Sequence, residues 1–262
     1  MINLALIGVG KWGKNYLSTV ENIPDCQIKY TRTRDYQDLL YKDDIDGVII
    51  ATPGSTHFAI ASEFLKKGFN LLIEKPLTTN FEEAEKLLDL WTDKKPKVLV
   101  GITYLYHPLY QELKNKISEI GEIKSLSFEG LSSPIRDDIS ILWDWGPHAV
   151  SLFLDLVKSP VSKASGEGQR DKASLSIEFE NGVKAVVQMK WIHPEKVRKL
   201  IVAGDKKTIE VDFSQPALVP PLTVEVKEFI SAIKNNTPIT SDLEFGVKVT
   251  KILFSIDSKI SY

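Results

Sequence analysis

Residues 48–76, VIIATPGSTHFAIASEFLKKGFNLLIEKP, decide the fold. They begin with an uninterrupted apolar run, Val48 to Ala51, which predicts a strand buried on both faces and hence a parallel sheet. Apolar residues then recur at helical spacing from Phe58 to Leu65, and Gly68 is placed to end that helix. A second apolar strand, Asn70 to Ile73, follows. The stretch therefore predicts a strand–helix–strand unit of an α/β fold.

Three residues, Glu74-Lys75-Pro76, come directly after the second strand of this stretch. Open α/β sheets bind their ligands at the carboxyl ends of the strands. An ionisable pair at that edge indicates chemistry more than packing. The alternative for Lys75 is an ordinary surface lysine in a strand-to-helix loop.

Residues 1–101 keep this alternation of strand and helix throughout. Further strands are predicted at Ile2–Ile7, Gln27–Thr31 and Lys97–Gly101, and helices at Lys11–Asn22, Asp35–Tyr41, Thr56–Lys67 and Phe81–Thr92. Either Thr79 or Asn80 can cap the last of these helices. Repeated βα units predict a doubly wound parallel sheet, a Rossmann domain over residues 1–101.

Residues 102–262 follow a different pattern, in which strands succeed one another. The predicted elements are the helices Pro108–Ile117, Pro147–Leu156, Val224–Asn235 and Leu243–Ile260, the strand Ile123–Phe128, and two hairpins, Ala173–Phe179 with Val183–Trp191 and Lys199–Ala203 with Thr208–Phe213. Strands in succession favour an antiparallel sheet. The second domain, residues 102–262, is therefore predicted to be α+β.

Composition restricts the partners and the compartment. The 262 residues carry 33 basic and 35 acidic side chains. The chain therefore lacks the excess of basic residues that would indicate nucleic acid or an anionic membrane surface as its main partner. No apolar run approaches the roughly 20 residues that span a bilayer. Cys26 is the only cysteine, which excludes an internal disulfide and a cysteine-based zinc cluster, and we predict no metal site. We expect a cytoplasmic protein.

A glycine-rich turn links the first strand to the first helix. In Gly8-Val9-Gly10-Lys11-Trp12-Gly13, Gly8 suits a tight turn, Gly10 lets a pyrophosphate approach the backbone, and Gly13 lets helix and strand pack closely. The helix N-terminus then presents amides to the phosphates. This context predicts dinucleotide binding, against a purely structural glycine turn.

The end of the second strand bears on the choice between NAD and NADP. NAD-specific folds carry an acid there for the ribose, whereas here Thr33 lies near that position, between Arg32 and Arg34. Hydroxyl and guanidinium groups suit a 2′-phosphate, which slightly favours NADP. Asp35 can still turn back to the ribose, so NAD stays open.

A second candidate group lies in Leu142-Trp143-Asp144-Trp145-Gly146-Pro147-His148. Proline suits the first position of a helix, which predicts that Pro147 begins a helix with His148 in its first turn. The positive end of the helix dipole is then expected to lower the pKa of His148 and keep it a neutral base. Asp144 is placed to orient it. A capping aspartate and a packed histidine are the structural alternative.

Lys75 and His148 offer complementary chemistry. An amine can stabilise the oxygen on which negative charge develops during hydride transfer, and a histidine can take the proton of an alcohol. His57, at a helix start, either caps that helix or contacts the cofactor. Tyr104 and Trp145 are candidate substrate contacts, with core packing as the alternative.

Together these motifs resemble the glucose–fructose oxidoreductase/inositol dehydrogenase/MocA family. The resemblance rests on Gly8-x-Gly10-x-Trp12-Gly13, Ala51-Thr52-Pro53-x-x-Thr56-His57, Glu74-Lys75-Pro76 and Trp143-Asp144-x-Gly146-x-His148, and continues through Trp191-x-x-Pro194-x-Lys196-x-Arg198 to Glu228-Phe229 and Pro238. It therefore extends over essentially the whole chain.

The resemblance implies a Rossmann domain followed by an α/β domain with a mainly antiparallel, open-faced sheet. It implies NAD or NADP as cofactor, a homo-oligomer (dimer or tetramer) associating through that sheet, and catalytic roles for Lys75, Asp144 and His148, with the bond before Pro76 often cis. The predicted substrate contacts are Lys75, Tyr104, Trp145 and His148. The predicted cofactor-binding residues are Gly8, Gly10, Lys11, Trp12, Gly13, Thr33, Arg34, Thr52, Pro53, His57, Glu74 and Lys75.

The chain departs from the family pattern in two places. Ala149 and Ser151 follow His148 where many relatives carry acids, and the segment 159–171 is short. Both departures reduce the number of expected substrate contacts.

We therefore predict an NAD(P)-dependent oxidoreductase that moves hydride between nicotinamide and a secondary alcohol or ketone of a sugar, cyclitol or nucleotide sugar. The alternatives are a non-catalytic NAD(P)-dependent sensor of the same fold, and a reductase of another small carbonyl or imine substrate. The active site is expected to lie between the two domains.

Overall fold

A computed structural model of the protein describes residues 1–91 and 95–260. The chain forms two compact units, residues 1–103 with 219–250, and residues 104–218 with the chain from 251 onward. The sequence pattern assigns 219–250 to the second domain, whereas its contacts lie within the first unit. The domain boundary between residues 101 and 102 stays a prediction.

The first unit is built on a five-stranded parallel sheet. Its strands are β1 (Ile2–Ile7), β2 (Cys26–Arg32), β3 (Gly47–Ile50), β4 (Asn70–Glu74) and β5 (Val98–Gly101), in the order β2-β1-β3-β4-β5. All residues of β3 and β5 are buried, as expected of parallel strands covered on both faces. The strand order reverses between β1 and β3, and ligands of such sheets bind at this switch point.

Helices connect these strands, and capping residues mark where two of them end or begin. α1 (Lys11–Glu21), α2 (His57–Lys67) and α3 (Phe81–Leu90) follow β1, β3 and β4, and a short 3₁₀ helix, Gln37–Tyr41, follows β2. Gly68 ends α2 with a left-handed φ of 84°. Of the two candidate caps of α3, Asn80 is the one used, since its side chain accepts the Glu83 N–H. Thr92, the predicted end of this helix, lies outside the described residues.

The second unit is built on a six-stranded, mainly antiparallel sheet. Its strands are β6 (Ile123–Leu131), β7 (Val161–Gln169), β8 (Lys172–Phe179), β9 (Lys184–Lys190), β10 (Val197–Gly204) and β11 (Thr208–Asp212), in the order β11-β10-β6-β9-β8-β7. Only the β6–β9 pairing is parallel. Burial alternates along β8 and β9, so one face is covered and the other is open. The predicted fold class, a Rossmann sheet followed by an α+β unit with an open-faced sheet, is confirmed.

Strand β7 is absent from the sequence prediction. Its residues, VSKASGEGQ, contain two glycines and few apolar side chains, so neither β propensity nor alternation marks a strand. It pairs only with β8 at the edge of the sheet, where ladder hydrogen bonds from one neighbour suffice. Its pairing partner, not its composition, therefore determines its conformation.

Helices of the second unit are α4 (Pro108–Asn115), α5 (Ile117–Ile120) and α6 (Ile141–Leu156). The prediction that a helix begins at Pro147 is wrong, because α6 begins six residues earlier, after Ser140 as N-cap, and Pro147 lies inside it. Proline is favoured in the first turn of a helix, but it can also lie inside a helix at a cost in stability. Its missing N–H removes one bond of the ladder while apolar neighbours keep the helix buried.

The last helices are α7 (Pro221–Asn235) and α8 (Leu243–Asp257), of which α7 packs against α1 within the first unit. Within the described ranges, 1–91 and 95–260, no helix is both long and apolar enough to cross a bilayer. A cytoplasmic location stays a prediction.

Candidate active site

The glycine turn after β1 has the geometry that a dinucleotide cradle requires. Gly8 adopts φ of 95°, and a Cβ there would lie 2.5 Å from the carbonyl oxygen of Ala51, in the loop after β3. A Cβ on Gly13 would collide with the Gly8 carbonyl. By contrast, the position of a Cβ on Gly10 has no atom within 4 Å. Gly8 and Gly13 thus close the turn, and Gly10 leaves its backbone open to a ligand.

The N-terminus of α1 suits an anion bound against this turn. Gly10 is the N-cap and offers no side chain to the first amides, and the first turn contains no acid. Lys11 and Trp12 follow in that turn and are exposed. Amides at a helix N-terminus with no competing carboxylate favour a phosphate group. The residues present therefore fit the pyrophosphate of a dinucleotide.

Thr33 and Arg34 are exposed immediately after β2. Arg32, the last residue of the strand, is engaged elsewhere, because it donates from Nε and Nη2 to the two carboxylate oxygens of Asp38, at 3.0 and 2.5 Å. Asp35 has a positive φ of 51°. Among the described residues Arg34 has no such ion pair, so its guanidinium, and not that of Arg32, is available at this end of the strand.

His57 joins the loops that follow β3 and β4. Its ring is buried, with Nδ1 2.8 Å from the Pro76 carbonyl oxygen and Nε2 2.9 Å from the Thr52 carbonyl oxygen. The Thr56 hydroxyl lies 2.7 Å from both the Thr52 hydroxyl and the Pro53 carbonyl oxygen. Both ring nitrogens of His57 therefore face main-chain carbonyls, and the ring sets the spacing of the two loops. A role in holding these loops fits this geometry better than helix capping.

Lys75 lies at the carboxyl end of β4, in the loop that His57 helps to hold. The Lys75–Pro76 peptide is cis. Lys75 and Glu74 are both buried, and Oε2 of Glu74 accepts the Lys75 N–H at 3.1 Å. The Tyr16 hydroxyl lies 2.8 Å from the other carboxylate oxygen of Glu74. The surface-lysine alternative is thereby excluded for Lys75.

In the second unit, α6 carries Asp144, Trp145 and His148. His148 is the eighth residue of this helix, and the helix dipole acts only within the first turn. The dipole therefore gives no reason for a lowered pKa at His148, which corrects the sequence-based expectation. Asp144, by contrast, lies in the first turn and not before the helix.

Two residues that the motif does not contain hold Asp144. Arg136 Nη1 donates to Oδ1 of Asp144 at 3.3 Å, and the indole N–H of Trp191 donates to Oδ2 at 3.2 Å. Arg136 also donates to both oxygens of Asp138, and this contact is the main reason that the pKa of Arg136 is raised. Asp144 is thus kept in one orientation by a cation and an indole.

His148 is part of an aromatic cluster. Its ring stacks on Tyr104 with centroids 4.5 Å apart and planes inclined by 26°, and Phe213 also stacks on Tyr104, at 4.5 Å and 14°. Trp145 contacts the ring of His148 edge-on at 5.9 Å. The pKa of the Tyr104 hydroxyl is raised, chiefly by burial. Tyr104 and Trp145 therefore lie beside His148, as both predicted alternatives allow.

Arg198 supports this cluster from beneath Trp145. Its guanidinium carbon lies 4.0 Å from the centroid of a Trp145 ring, and its nitrogens donate to the carbonyls of Leu131, Ser132 and Val197. Burial lowers its pKa. A buried guanidinium with three carbonyl partners and an aromatic face is satisfied without a carboxylate.

Sequence reasoning missed several of these positions. Arg136 lies in a loop between β6 and α6 with no motif around it, and Trp191, although part of the family pattern, has no feature in its sequence context that predicts its contact with Asp144. Tyr16 and Glu225 come from helices of ordinary amphipathic pattern. The contacts of Trp191, Tyr16 and Glu225 span 47 to 209 residues, and local pattern carries no signal for them.

The five-stranded parallel sheet, with a glycine turn at its switch point and a lysine at the end of β4, defines the class of dinucleotide-binding α/β oxidoreductases. Comparison with known families agrees. The model of the oxidoreductase family with an NAD-binding Rossmann fold matches residues 24–102, and that of the GFO/IDH/MocA C-terminal domain matches residues 133–210. The chain belongs to the GFO/IDH/MocA oxidoreductase family. The prediction of an NAD(P)-dependent oxidoreductase of this family is confirmed.

Three relatives illustrate the similarity. UDP-N-acetylglucosamine 3-dehydrogenase from Acidithiobacillus ferrooxidans is 26% identical over 239 residues, which cover 79% of this chain and 76% of that protein. Inositol 2-dehydrogenase from Corynebacterium glutamicum (strain R) is 30% identical over 191 residues, covering 66% and 55%. The crystal structure of a protein from Magnetospirillum magnetotacticum MS-1, described as an oxidoreductase, has a TM-score of 0.88 at 28% identity and covers 97% of this chain and 99% of its own.

Proposed function

We propose that the protein transfers a hydride between a nicotinamide cofactor and a secondary hydroxyl group, or the corresponding ketone, of a sugar, cyclitol or nucleotide sugar. The proposal rests on the edge of the first unit's sheet where the carboxyl ends of its strands lie, called here the ligand edge. There the open backbone of Gly10 and the buried Lys75 follow strands of the same parallel sheet. The substrate class is supported by relatives whose names specify a UDP-sugar and an inositol.

The cofactor would be held by the glycine turn, the N-terminal amides of α1 and the loops after β2, β3 and β4. When bound, nicotinamide supplies or accepts the hydride. The chain's own residues then have to manage the oxygen and its proton. These tasks are stabilisation of a developing alkoxide and transfer of one proton.

We assign the first task to Lys75 and the second to His148. The Lys75 amine stabilises the developing alkoxide, and the imidazole of His148 removes the hydroxyl proton or returns it in the reverse reaction. Asp144 assists His148, and its fixed orientation between Arg136 and Trp191 supports that assistance. Stacking on Tyr104 holds the plane of the His148 ring.

NADP is the cofactor that we favour. The support comes from the exposed hydroxyl of Thr33 and guanidinium of Arg34 after β2, and from the absence of an acid at position 33. A 2′-phosphate needs such donors, whereas a ribose diol needs a carboxylate. Because Asp38 engages Arg32, Arg34 has to supply the charge.

We also propose a homo-oligomer that associates through the open face of the six-stranded sheet. On this face Val186 is an exposed apolar residue near the middle of β9, and 47% of its surface is accessible. Its register partners on the neighbouring strands are Ser176 and Ser127, which leave the face flat. A flat face with an apolar centre suits a second copy of the same face.

The experiment that tests the proposed function combines Lys75→Met with a panel of sugars, cyclitols and nucleotide sugars, followed by nicotinamide absorbance at 340 nm. We expect turnover with at least one substrate, and a loss of roughly a hundredfold or more in kcat for Lys75→Met, because an electrostatic stabiliser of the oxyanion is removed. Cofactor affinity, measured by fluorescence, should change little.

Lys66→Met, on the exposed end of α2, is the matched control and should retain full turnover. Unchanged turnover in Lys75→Met would rule the mechanism out. Cofactor binding without turnover on any member of the panel would favour the sensor.

A further inference from the structure

Within the first unit, Glu74, the residue before Lys75, is part of a buried cluster of one phenol and two carboxyls. The Tyr16 hydroxyl of α1 lies 2.8 Å from Oε1 of Glu74, at the end of β4, and 3.1 Å from Oε1 of Glu225, on α7. Tyr16 and Glu225 are fully buried, and Glu74 is 5% exposed. A Cβ on Gly101 would lie 3.1 Å from the Tyr16 hydroxyl and 3.4 Å from Oε1 of Glu225, so a larger residue would press on the cluster.

The geometry of this cluster requires a proton beyond that of the phenol. Tyr16 has one hydroxyl proton, and it can donate to only one of two acceptors. If both carboxyls were ionised, one of them would face a lone pair of the phenol in a dry interior, which is costly. A proton on one carboxyl turns that contact into a second hydrogen bond.

Contacts of the two carboxyls indicate which one holds the proton. Oε2 of Glu74 accepts the N–H of Lys75, as an ionised carboxylate does well. Oε2 of Glu225 is buried and has no hydrogen-bond partner among the residues that the structure describes. A bare, buried carboxylate oxygen favours the neutral acid.

Charges around Glu225 act in the same direction. Burial raises its pKa well above the ordinary value of 4.5, and the nearby charges of Glu74 and Glu228 raise it further, while the hydrogen bond from Tyr16 acts against them. The groups that face it are thus Tyr16 from α1, Glu74 from β4 and Glu228 from its own helix. No cation is among these contributors.

We propose that Glu225 carries a proton in the folded protein, donates it to Tyr16, and through Tyr16 positions Glu74 and the adjoining Lys75. Glu225 and Tyr16 are positioning residues, since neither belongs to the ligand edge itself. The chain of donors runs from Glu225 to Tyr16 to Glu74, whose other oxygen binds the Lys75 main chain. The positioning of Lys75 rests on the proposed function; the protonation of Glu225 does not.

The protonation is tested by the pH dependence of stability, compared between the wild-type chain and Glu225→Gln. A carboxyl with a raised pKa in the folded state stabilises the fold fully below its unfolded pKa, and that stabilisation is lost as pH rises towards the folded pKa. Unfolding then releases one proton. The ratio of the wild-type to the Glu225→Gln unfolding constant should therefore rise about tenfold per pH unit in the range above the unfolded pKa of Glu225 and below its raised folded pKa.

Glu85→Gln, the same change at an exposed position of α3, is the control and should leave this ratio flat. A flat ratio for Glu225→Gln would overturn the proposal, because Glu225 would then be ionised in both states. This readout needs no substrate, so it stands even if the proposed function fails.

The positioning role is tested with Tyr16→Phe, Glu225→Leu and Glu225→Gln on the substrate that the panel identifies. Tyr16→Phe and Glu225→Leu break the chain of donors, so kcat should fall by roughly tenfold to a hundredfold with little change in cofactor affinity. Glu225→Gln keeps a neutral donor towards Tyr16 and should recover part of this loss. Wild-type kcat in both Tyr16→Phe and Glu225→Leu would overturn the positioning of Lys75.

Discussion

Cofactor choice depends on single residues after β2. Arg32 is bound by both oxygens of Asp38 and is therefore unavailable to a ligand, although in sequence it stands beside Thr33 as Arg34 does. Arg34 and Thr33 are exposed, and the part of the chain that the structure describes contains no ion pair to Arg34. The proposed preference for NADP consequently rests on Arg34 more than on the pair of arginines.

Removal of the Arg34 guanidinium should shift this preference. A hydrogen bond to a charged group contributes roughly 1.5–3 kcal/mol, so Arg34→Ala should lower the ratio of kcat/KM with NADP to kcat/KM with NAD by about tenfold or more. Lys29→Ala, which removes a charge elsewhere on β2, is the control and should leave the ratio unchanged. An unaltered ratio in Arg34→Ala would contradict the proposed site for the 2′-phosphate.

The roles of individual glycines were predictable, and those of the buried polar residues were not. Gly8, Gly10 and Gly13 lie within six residues of one another, and the turn itself dictates which of them needs space. Tyr16 and Glu225 are separated by 209 residues, so nothing local relates them. A polar residue in an amphipathic helix looks the same whether its partner is water or a buried carboxyl.

Helix ends show how local chemistry decides an element's limits. Asn80 has extended backbone angles and accepts the N–H of Glu83, while Thr79, equally suitable by type, makes no such bond. The acids Glu82 and Glu83 in the first turn add a favourable interaction with the helix dipole. The start of α3 is therefore fixed at one residue.

The two candidate caps should differ in their contribution to stability. Asn80→Ala should lower the free energy of unfolding by about 1 kcal/mol, since an amide of the first turn loses its acceptor. Thr79→Ala should change it by less than about 0.5 kcal/mol, the usual range for a substitution away from such features. Urea denaturation of both variants checks this, and equal losses would contradict the assignment of the cap.

α6 shows the limit of local rules. Proline at a helix start is a preference that reflects its missing N–H, but the run from Ile141 to Phe153 is buried almost throughout and gains more from packing than it loses at Pro147. His148 thereby moves from the first turn of a helix to its third. Its environment becomes an aromatic stack in place of a helix terminus.

Assembly is a property of the molecule as a whole. The open sheet face that we propose as the interface carries Val186 at its centre, and its neighbours are small or polar. If two such faces meet, a charge introduced at this position would be buried without a partner.

Val186→Lys should therefore weaken association by about tenfold or more, which corresponds to 1.4 kcal/mol, and sedimentation velocity over a range of concentrations should show smaller species than for the wild type. Tyr41→Lys places the same charge on an exposed ring of the first unit, 79% accessible, and should leave the oligomer intact. An identical size distribution for wild type and Val186→Lys would refute this interface.

The sequence by itself determined the alternation of strands and helices in residues 1–101, the glycine turn and the position of Lys75 after β4, because periodicity, caps and turns act over a few residues. Only the tertiary structure decided that α6 extends through Pro147, that β7 forms beside β8, and that the Tyr16 hydroxyl lies within hydrogen-bond distance of both Glu74 and Glu225. Burial and pairing between distant segments produce these features, and their free energies exceed the local preferences of the residues involved.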